Sequence, residues 1–137
     1  GTYVTAHRHQ AGAHVIQVEG TGYEMFFMPG EEMDVEKRIK MPIKPNGVVA
    51  PKLNEYHQHF NTGKGRFRQL AFRGGGVRYG TGQTYDVVGA ATSANPFSWT
   101  YKLRHDAEDP RIREEYYTAL QGNGINLRLE PVDQGGG

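Results

Sequence analysis

Four of the six histidines in this 137-residue chain occur in two His-x-His pairs, His7/His9 and His57/His59. Side chains two residues apart in a β-strand point to the same face, so each pair can direct two imidazoles into one cavity. Neutral imidazole is the commonest metal ligand in proteins. The two pairs therefore predict a metal site rather than two exposed, polar strand ends.

The absence of cysteine limits the chemistry of such a site. With no cysteine in the chain, disulfides and thiolate ligands are excluded. The remaining side chains that can hold a metal are His, Asp, Glu, Asn and Gln. The candidate ions are then iron(II), manganese, nickel, copper(II) and zinc.

Other polar residues are candidates for catalysis and substrate binding. His59 shares a strand face with His57, and we favour a proton-transfer role for it because a further protein ligand would close the metal site. A fourth-ligand role for His59 stays open. Gln17 and Gln69 lie on predicted strands, where they can bind a substrate or face solvent. Arg68 lies on the hairpin after the second pair, where it can bind a substrate or form part of a solvated edge.

Length and composition fit one globular domain. Sixteen basic and fifteen acidic residues leave a net charge of +1, so no overall field attracts nucleic acid or an anionic membrane. No apolar stretch is long enough to span a bilayer, and no signal-peptide pattern opens the chain. We expect a cytoplasmic protein that binds a small-molecule substrate, with no nucleic-acid or membrane partner. Because the chain starts at Gly1, we also expect a processed or trimmed product.

Nineteen glycines between short apolar runs indicate an all-β sandwich or barrel with tight turns. The predicted strands are 3–9, 14–18, 23–28, 48–50, 56–60 and 67–72, with a polar excursion over 33–44 that ends in a short strand. A single helix is predicted at about 110–121. Asp109 is its expected N-cap, Pro110 fits the first turn, and Ile112, Tyr116 and Leu120 share one face.

These elements predict a barrel over 1–95, a C-terminal extension over 96–132 and a disordered tail over 133–137. The glycine-rich stretch 74–94 is expected to be loosely held or covered by a partner. A closed barrel needs strands that pair the edge beside the first histidine pair, and only six residues precede His7. We therefore expect that edge to be covered by 74–94, by another copy in a homo-oligomer, or by an N-terminal portion of a larger protein. The alternative is an unusually short barrel.

The order of the motifs resembles the cupin superfamily. His7-Arg8-His9 and a following strand that ends at Gly20-Thr21-Gly22 are similar to the first cupin motif. Pro51 followed by His57-Gln58-His59-Phe60-Asn61 is similar to the second, so the resemblance covers residues 5–73. It implies an all-β jelly roll with one added C-terminal helix. The stretch 108–113 is similar to the tail of larger bacterial cupins, which implies the C-terminal part of such a protein.

Within the superfamily, the pattern is nearest to gentisate-dioxygenase-like cupins. Ala13 stands where the commonest cupin metal set has a glutamate, so the resemblance implies a three-histidine site of His7, His9 and His57. His59 is then a catalytic residue beside the metal. Val15 departs from that branch, which carries an arginine there that would pair with a substrate carboxylate. Arg68 is a candidate to replace this arginine. The analogy implies iron(II), with manganese, nickel, copper and zinc as alternatives.

Three neutral imidazoles leave positions on a divalent ion for water, dioxygen and a chelating substrate. The first functional hypothesis is therefore an oxygen-activating dioxygenase acting on a small hydroxylated aromatic or carboxylate substrate. A second hypothesis keeps the metal as a Lewis acid in an isomerase, lyase or hydrolase. The third is a non-catalytic cupin subunit of a larger assembly.

Overall fold

The computed structural model describes residues 2–9, 13–73 and 100–126, without the side chains of His9, Arg73, Thr100 and Tyr101. Within these ranges the chain forms eight β-strands and one α-helix. The strands are β1 (His7–His9), β2 (Ala13–Glu19), β3 (Gly22–Phe27), β4 (Ile39–Ile43), β5 (Val48–Val49), β6 (Tyr56–Asn61), β7 (Arg68–Arg73) and β8 (Thr100–Lys102). Helix α1 is Pro110–Gly122, and short 3-10 turns lie at Val35–Lys37 and His105–Ala107.

The described strands form two antiparallel sheets. The larger sheet has five strands in the order β4-β3-β6-β1-β8, and the smaller has three in the order β5-β2-β7. This architecture confirms the predicted all-β class. Among the described residues it also shows the predicted C-terminal helix, which Asp109 caps by accepting a hydrogen bond from the backbone N–H of Arg111.

An apolar cluster joins the two sheets face to face. Its members are at most 5% exposed and come from both sheets: Ala13, Val15, Phe26, Ile43 and Val49. In β2 every second residue from Ala13 to Gln17 is buried, as expected of a strand with one face turned to a core. This inter-sheet face is the one that carries the site described below.

Helix α1 covers the opposite face of the five-stranded sheet. One side of the helix and alternate residues of β3 and β6 form a single buried cluster, namely Tyr23, Met25, Phe60, Ile112, Tyr116 and Leu120. Successive residues of a strand point to opposite faces. Consequently the neighbours of these strand residues, among them Glu24 and His59, point towards the smaller sheet.

Strand β8 lies beside the first histidine pair. It pairs with β1 in antiparallel register, with His7 opposite Lys102 and His9 opposite Thr100. The described chain therefore pairs both edges of β1, with β6 on one side and β8 on the other. The stretches 74–94 and 133–137, for which loose or disordered structure was expected, lie outside the described residues. Within the described part of the chain, no helix has the length and apolar character needed to cross a bilayer.

Candidate metal centre

Three imidazoles from adjacent strands meet on the inter-sheet face. His7 of β1 lies opposite His57 of β6, and His59 follows two residues later on the same face. The ring centroids are 4.2 Å apart for His7 and His57, 5.6 Å for His7 and His59, and 5.7 Å for His57 and His59. One nitrogen of each ring lies within 4.8 Å of the others. Three nitrogens that each lie about 2.1 Å from one ion are about 3.0–3.6 Å apart, so the rings must move closer together to bind it.

The register of the sheet explains why these rings face inwards. Phe26 of β3 lies opposite His57, and directly opposed residues share a face. Phe26 belongs to the apolar cluster between the sheets, so His57 points there too. His57 is only 2% exposed, whereas His7 and His59 are partly exposed.

Backbone carbonyls orient two of the three rings. The Nδ1 atom of His7 lies 3.3 Å from the carbonyl oxygen of Thr5, and that of His57 lies 3.1 Å from the carbonyl oxygen of Glu55. A carbonyl oxygen only accepts, so Nδ1–H donates in both rings. In an Nδ1–H tautomer, Nε2 is the nitrogen whose lone pair can bind a metal ion.

A buried carboxylate orients the third ring. Nδ1 of His59 lies 2.5 Å from Oε2 of Glu24, which is its direct partner in the β3–β6 ladder. The side chain of Glu24 is completely buried, and its Oε1 accepts a hydrogen bond of 2.6 Å from Nε2 of Gln69. Carboxylate–histidine pairs of this kind fix the ring tautomer and raise the basicity of the ligating nitrogen in metal sites.

Glu24 was not among the residues selected from the sequence. A signal for it exists, because it is the single charged residue in the strand Gly22–Phe27. A carboxylate in an otherwise apolar strand requires buried partners, since an isolated buried charge is strongly unfavourable. That signal marks Glu24 as unusual, but only the ladder register pairs it with His59.

The predicted metal ligands are placed as follows. His7 and His57 lie together, and the third ring beside them is His59, for which the sequence favoured proton transfer. The backbone of His9 pairs with Thr100, and its side chain lies outside the described part of the structure. The ligand role predicted for His9 therefore stays a prediction.

The predicted substrate-binding residues differ in their surroundings. Gln17 and Gln69 are ladder partners on β2 and β7, and Gln69 reaches the site through Glu24. Gln17 is fully buried, and its Oε1 accepts no hydrogen bond from the described residues. Arg68 is exposed, with its Nε 3.4 Å from a carboxylate oxygen of Glu19. Because Arg68 precedes Gln69 on the strand, it points to the opposite face, away from the histidines.

The donor set suits a divalent first-row ion. Imidazole nitrogen binds zinc, copper, iron and nickel, and three such ligands carry no charge that would offset the charge of the ion. The described residues therefore fit a metal held by His7, His57 and His59. The chain matches no protein-family model and no curated protein.

Proposed function

We propose that this protein binds one divalent metal ion through His7, His57 and His59 and is an oxygen-activating dioxygenase. Its substrate in this proposal is a small hydroxylated aromatic or carboxylate molecule. The observation that supports the proposal best is the convergence of three imidazoles whose Nδ1 atoms all have partners. In each ring an Nδ1–H tautomer makes Nε2 the nitrogen that can bind the ion.

We further propose that the two sheets are the halves of a cupin jelly roll. Two features support this fold: the histidines lie on the face between antiparallel sheets, and the order of the motifs resembles that of cupins. A jelly roll places ligand-binding residues on inner strand faces, where the opposite sheet shields them from water.

The residues of the chain have distinct roles in this proposal. His7 and His57 are held by backbone carbonyls, while Glu24 holds His59. Iron(II) bound to the three rings would supply electrons to dioxygen and lower the pKa of a substrate hydroxyl. The buried apolar cluster beside His57 limits the access of water to the reacting groups. Gln17 offers a buried acceptor, Oε1, for a substrate hydroxyl.

The metal-binding step is tested with zinc and single alanine variants. We expect one zinc ion per chain by isothermal titration calorimetry, and loss of binding in His7→Ala, His57→Ala and His59→Ala. His14→Ala is the matched control because His14 is an exposed strand histidine outside the cluster. His9→Ala distinguishes the proposed set, His7, His57 and His59, from the set that the sequence resemblance implies, in which His9 replaces His59. Binding that survives in His59→Ala and disappears in His9→Ala would instead support the set His7, His9 and His57.

The reaction is tested by oxygen uptake after reconstitution with iron(II). A panel of hydroxylated aromatics and carboxylates should contain substrates that drive oxygen consumption, and His57→Ala should consume none. Product formation by the zinc-loaded protein without oxygen uptake would contradict the dioxygenase and favour Lewis-acid chemistry. A metal-loaded protein inactive in both assays would favour a non-catalytic subunit.

A further inference from the structure

We infer that Glu24 is a positioning residue of the metal site and that Gln69, from the opposite sheet, holds Glu24 in place. The inference rests on the proposed function, because it concerns the ring of His59 as a ligand. It adds a side-chain relay, Gln69–Glu24–His59, that runs from one sheet to the other.

The three rings of the cluster are oriented by two different kinds of partner. His7 and His57 each place Nδ1 beside a backbone carbonyl two residues upstream. Those carbonyls are backbone groups, so they are present whatever residue occupies the position. His59 instead places Nδ1 beside the side chain of Glu24. The orientation of His59 therefore depends on the identity of a residue and can be altered by substitution.

The burial of Glu24 argues against a purely packing role. Its side chain is 0% exposed, and its strand neighbours Tyr23, Met25 and Phe26 are apolar and at most 5% exposed. An apolar residue would fill such a position without the cost of burying a charge. Both carboxylate oxygens of Glu24 have partners, at 2.5 Å from His59 Nδ1 and 2.6 Å from Gln69 Nε2. The carboxylate therefore serves to hold the imidazole of His59, since an apolar side chain would pack better in the core.

The relay joins the two sheets at the site. Glu24 and His59 belong to the five-stranded sheet, whereas Gln69 belongs to β7 of the three-stranded sheet. The position of the Glu24 carboxylate therefore depends on how the sheets pack. A change in that packing would move His59 while His7 and His57 keep their backbone partners.

The test compares cobalt(II) binding by Glu24→Gln, Gln69→Leu and a matched control. Loss of a carboxylate partner behind a ligating histidine typically weakens metal affinity by about 10–100-fold. We expect a loss in this range for Glu24→Gln, with shifted visible absorption bands of bound cobalt, and a smaller loss for Gln69→Leu. The control is Glu108→Gln, which changes another buried carboxylate, one that accepts hydrogen bonds from Tyr3 and Gln58. Gln58 points to the face opposite His57 and His59, so the affinity of this control should stay within about twofold of wild type.

A second readout needs no metal. In the metal-free protein, the Nδ1–H proton of His59 should give a downfield NMR signal that exchanges slowly, because it is buried against a carboxylate. Glu24→Gln should move this signal upfield, and Glu108→Gln should not. If Glu24→Gln does not fold, Gln69→Leu carries the test through the same two readouts.

The outcomes separate this inference from the proposed function. Wild-type protein that binds no cobalt, or His59→Ala protein that binds it normally, would overturn the proposed ligand set. If His59→Ala loses cobalt but Glu24→Gln keeps wild-type affinity and spectrum, only the positioning role is overturned. Equal losses in Glu24→Gln and Glu108→Gln would also overturn it, because they would reflect general destabilisation.

Discussion

Replacing Asp109 with asparagine should destabilise the protein more than most single changes. Asp109 caps α1 and has a side chain only 1% exposed. Its carboxylate accepts hydrogen bonds from the guanidinium groups of Arg38 and Arg111 and from the backbone N–H of Arg111. The ion pair with Arg38 joins the segment before β4 to helix α1, which covers the face of the five-stranded sheet opposite the histidines.

The size of the effect follows from which of these interactions asparagine keeps. Asparagine is nearly the same size and caps helices about as well as aspartate, so the cap should persist. The charge opposite Arg38 is lost, and the Arg38 side chain is only 4% exposed. Removing one partner of a buried ion pair costs about 3–5 kcal/mol. For a domain of this length that loss lowers Tm by about 10–20 °C.

Arg111 provides the matched control. It contacts the same carboxylate, but its side chain is 55% exposed, so solvent screens the interaction. Arg111→Gln should therefore reduce stability much less than Asp109→Asn. Asp109→Asn removes the charge opposite both arginines, whereas Arg111→Gln removes only the exposed pair, so the difference between the two variants reports the buried pair with Arg38.

The pH dependence of the stability provides an independent check of the contribution of Asp109. The Arg111 guanidinium and backbone N–H, together with Arg38, hold the pKa of the Asp109 carboxyl well below its usual range. In the unfolded chain the pKa of an aspartate is about 3.9. The stabilisation by the Asp109 carboxylate is therefore complete above about pH 4. It is lost as the pH falls towards the lower pKa that Asp109 has in the folded protein. Asp109→Asn should lack this acid-dependent loss.

The assay is urea denaturation followed by circular dichroism, at pH 7 and at steps below pH 4. A free energy of unfolding of Asp109→Asn within about 1 kcal/mol of wild type would contradict a large contribution from the buried pair, since typical surface changes fall in that range. Equal losses in Asp109→Asn and Arg111→Gln would refute it as well, because burial would then not decide the cost.

Three further predictions concern the site strands, the metal and a second buried carboxylate. A Cβ at Gly22 would lie 1.8 Å from the carbonyl oxygen of Phe60, so Gly22→Ala must move β3 away from β6. We expect lower stability and weaker zinc binding by calorimetry, and wild-type values would contradict this. Zinc at 100 times its Kd should stabilise the protein by about 2.7 kcal/mol and raise Tm by about 10 °C in thermal melts; an equal rise in His57→Ala would contradict the site. Burial raises the pKa of Glu108, so wild-type stability should fall as the pH rises from about 4 through that raised value. Glu108→Gln should escape this fall, and parallel stability profiles of the two proteins from pH 4 to 8 would contradict the cause.

Local pattern predicted most of the strands that carry the site. Alternation and glycine turns placed strands at 14–18, 23–28 and 56–60, and the structure has them at Ala13–Glu19, Gly22–Phe27 and Tyr56–Asn61. The helix signals around Asp109 worked equally well, because a cap, a proline and helical spacing are all local.

Two features that depend on pairing between distant segments, strand β8 and the Glu24–His59 pair, were not predicted. The three-residue strand β8 is too short to show alternation, and it is defined by its ladder with β1. The roles of Glu24 and His59 depend on their being opposite each other in β3 and β6, a register that neither strand specifies alone. The alternation of side chains along a strand correctly predicted that His57 and His59 share one face. Alternation does not distinguish a metal ligand from a residue that transfers protons.

The central claim is that His7, His57 and His59 bind one ion through Nε2. Long-range 1H–15N NMR during a zinc titration observes the two ring nitrogens of each histidine separately. We expect Nδ1–H tautomers for these three rings in the metal-free protein and a joint shift of their Nε2 signals that is complete at one equivalent of zinc. Shifts confined to other histidines such as His14 and His105, or shifts that continue beyond one equivalent, would contradict it.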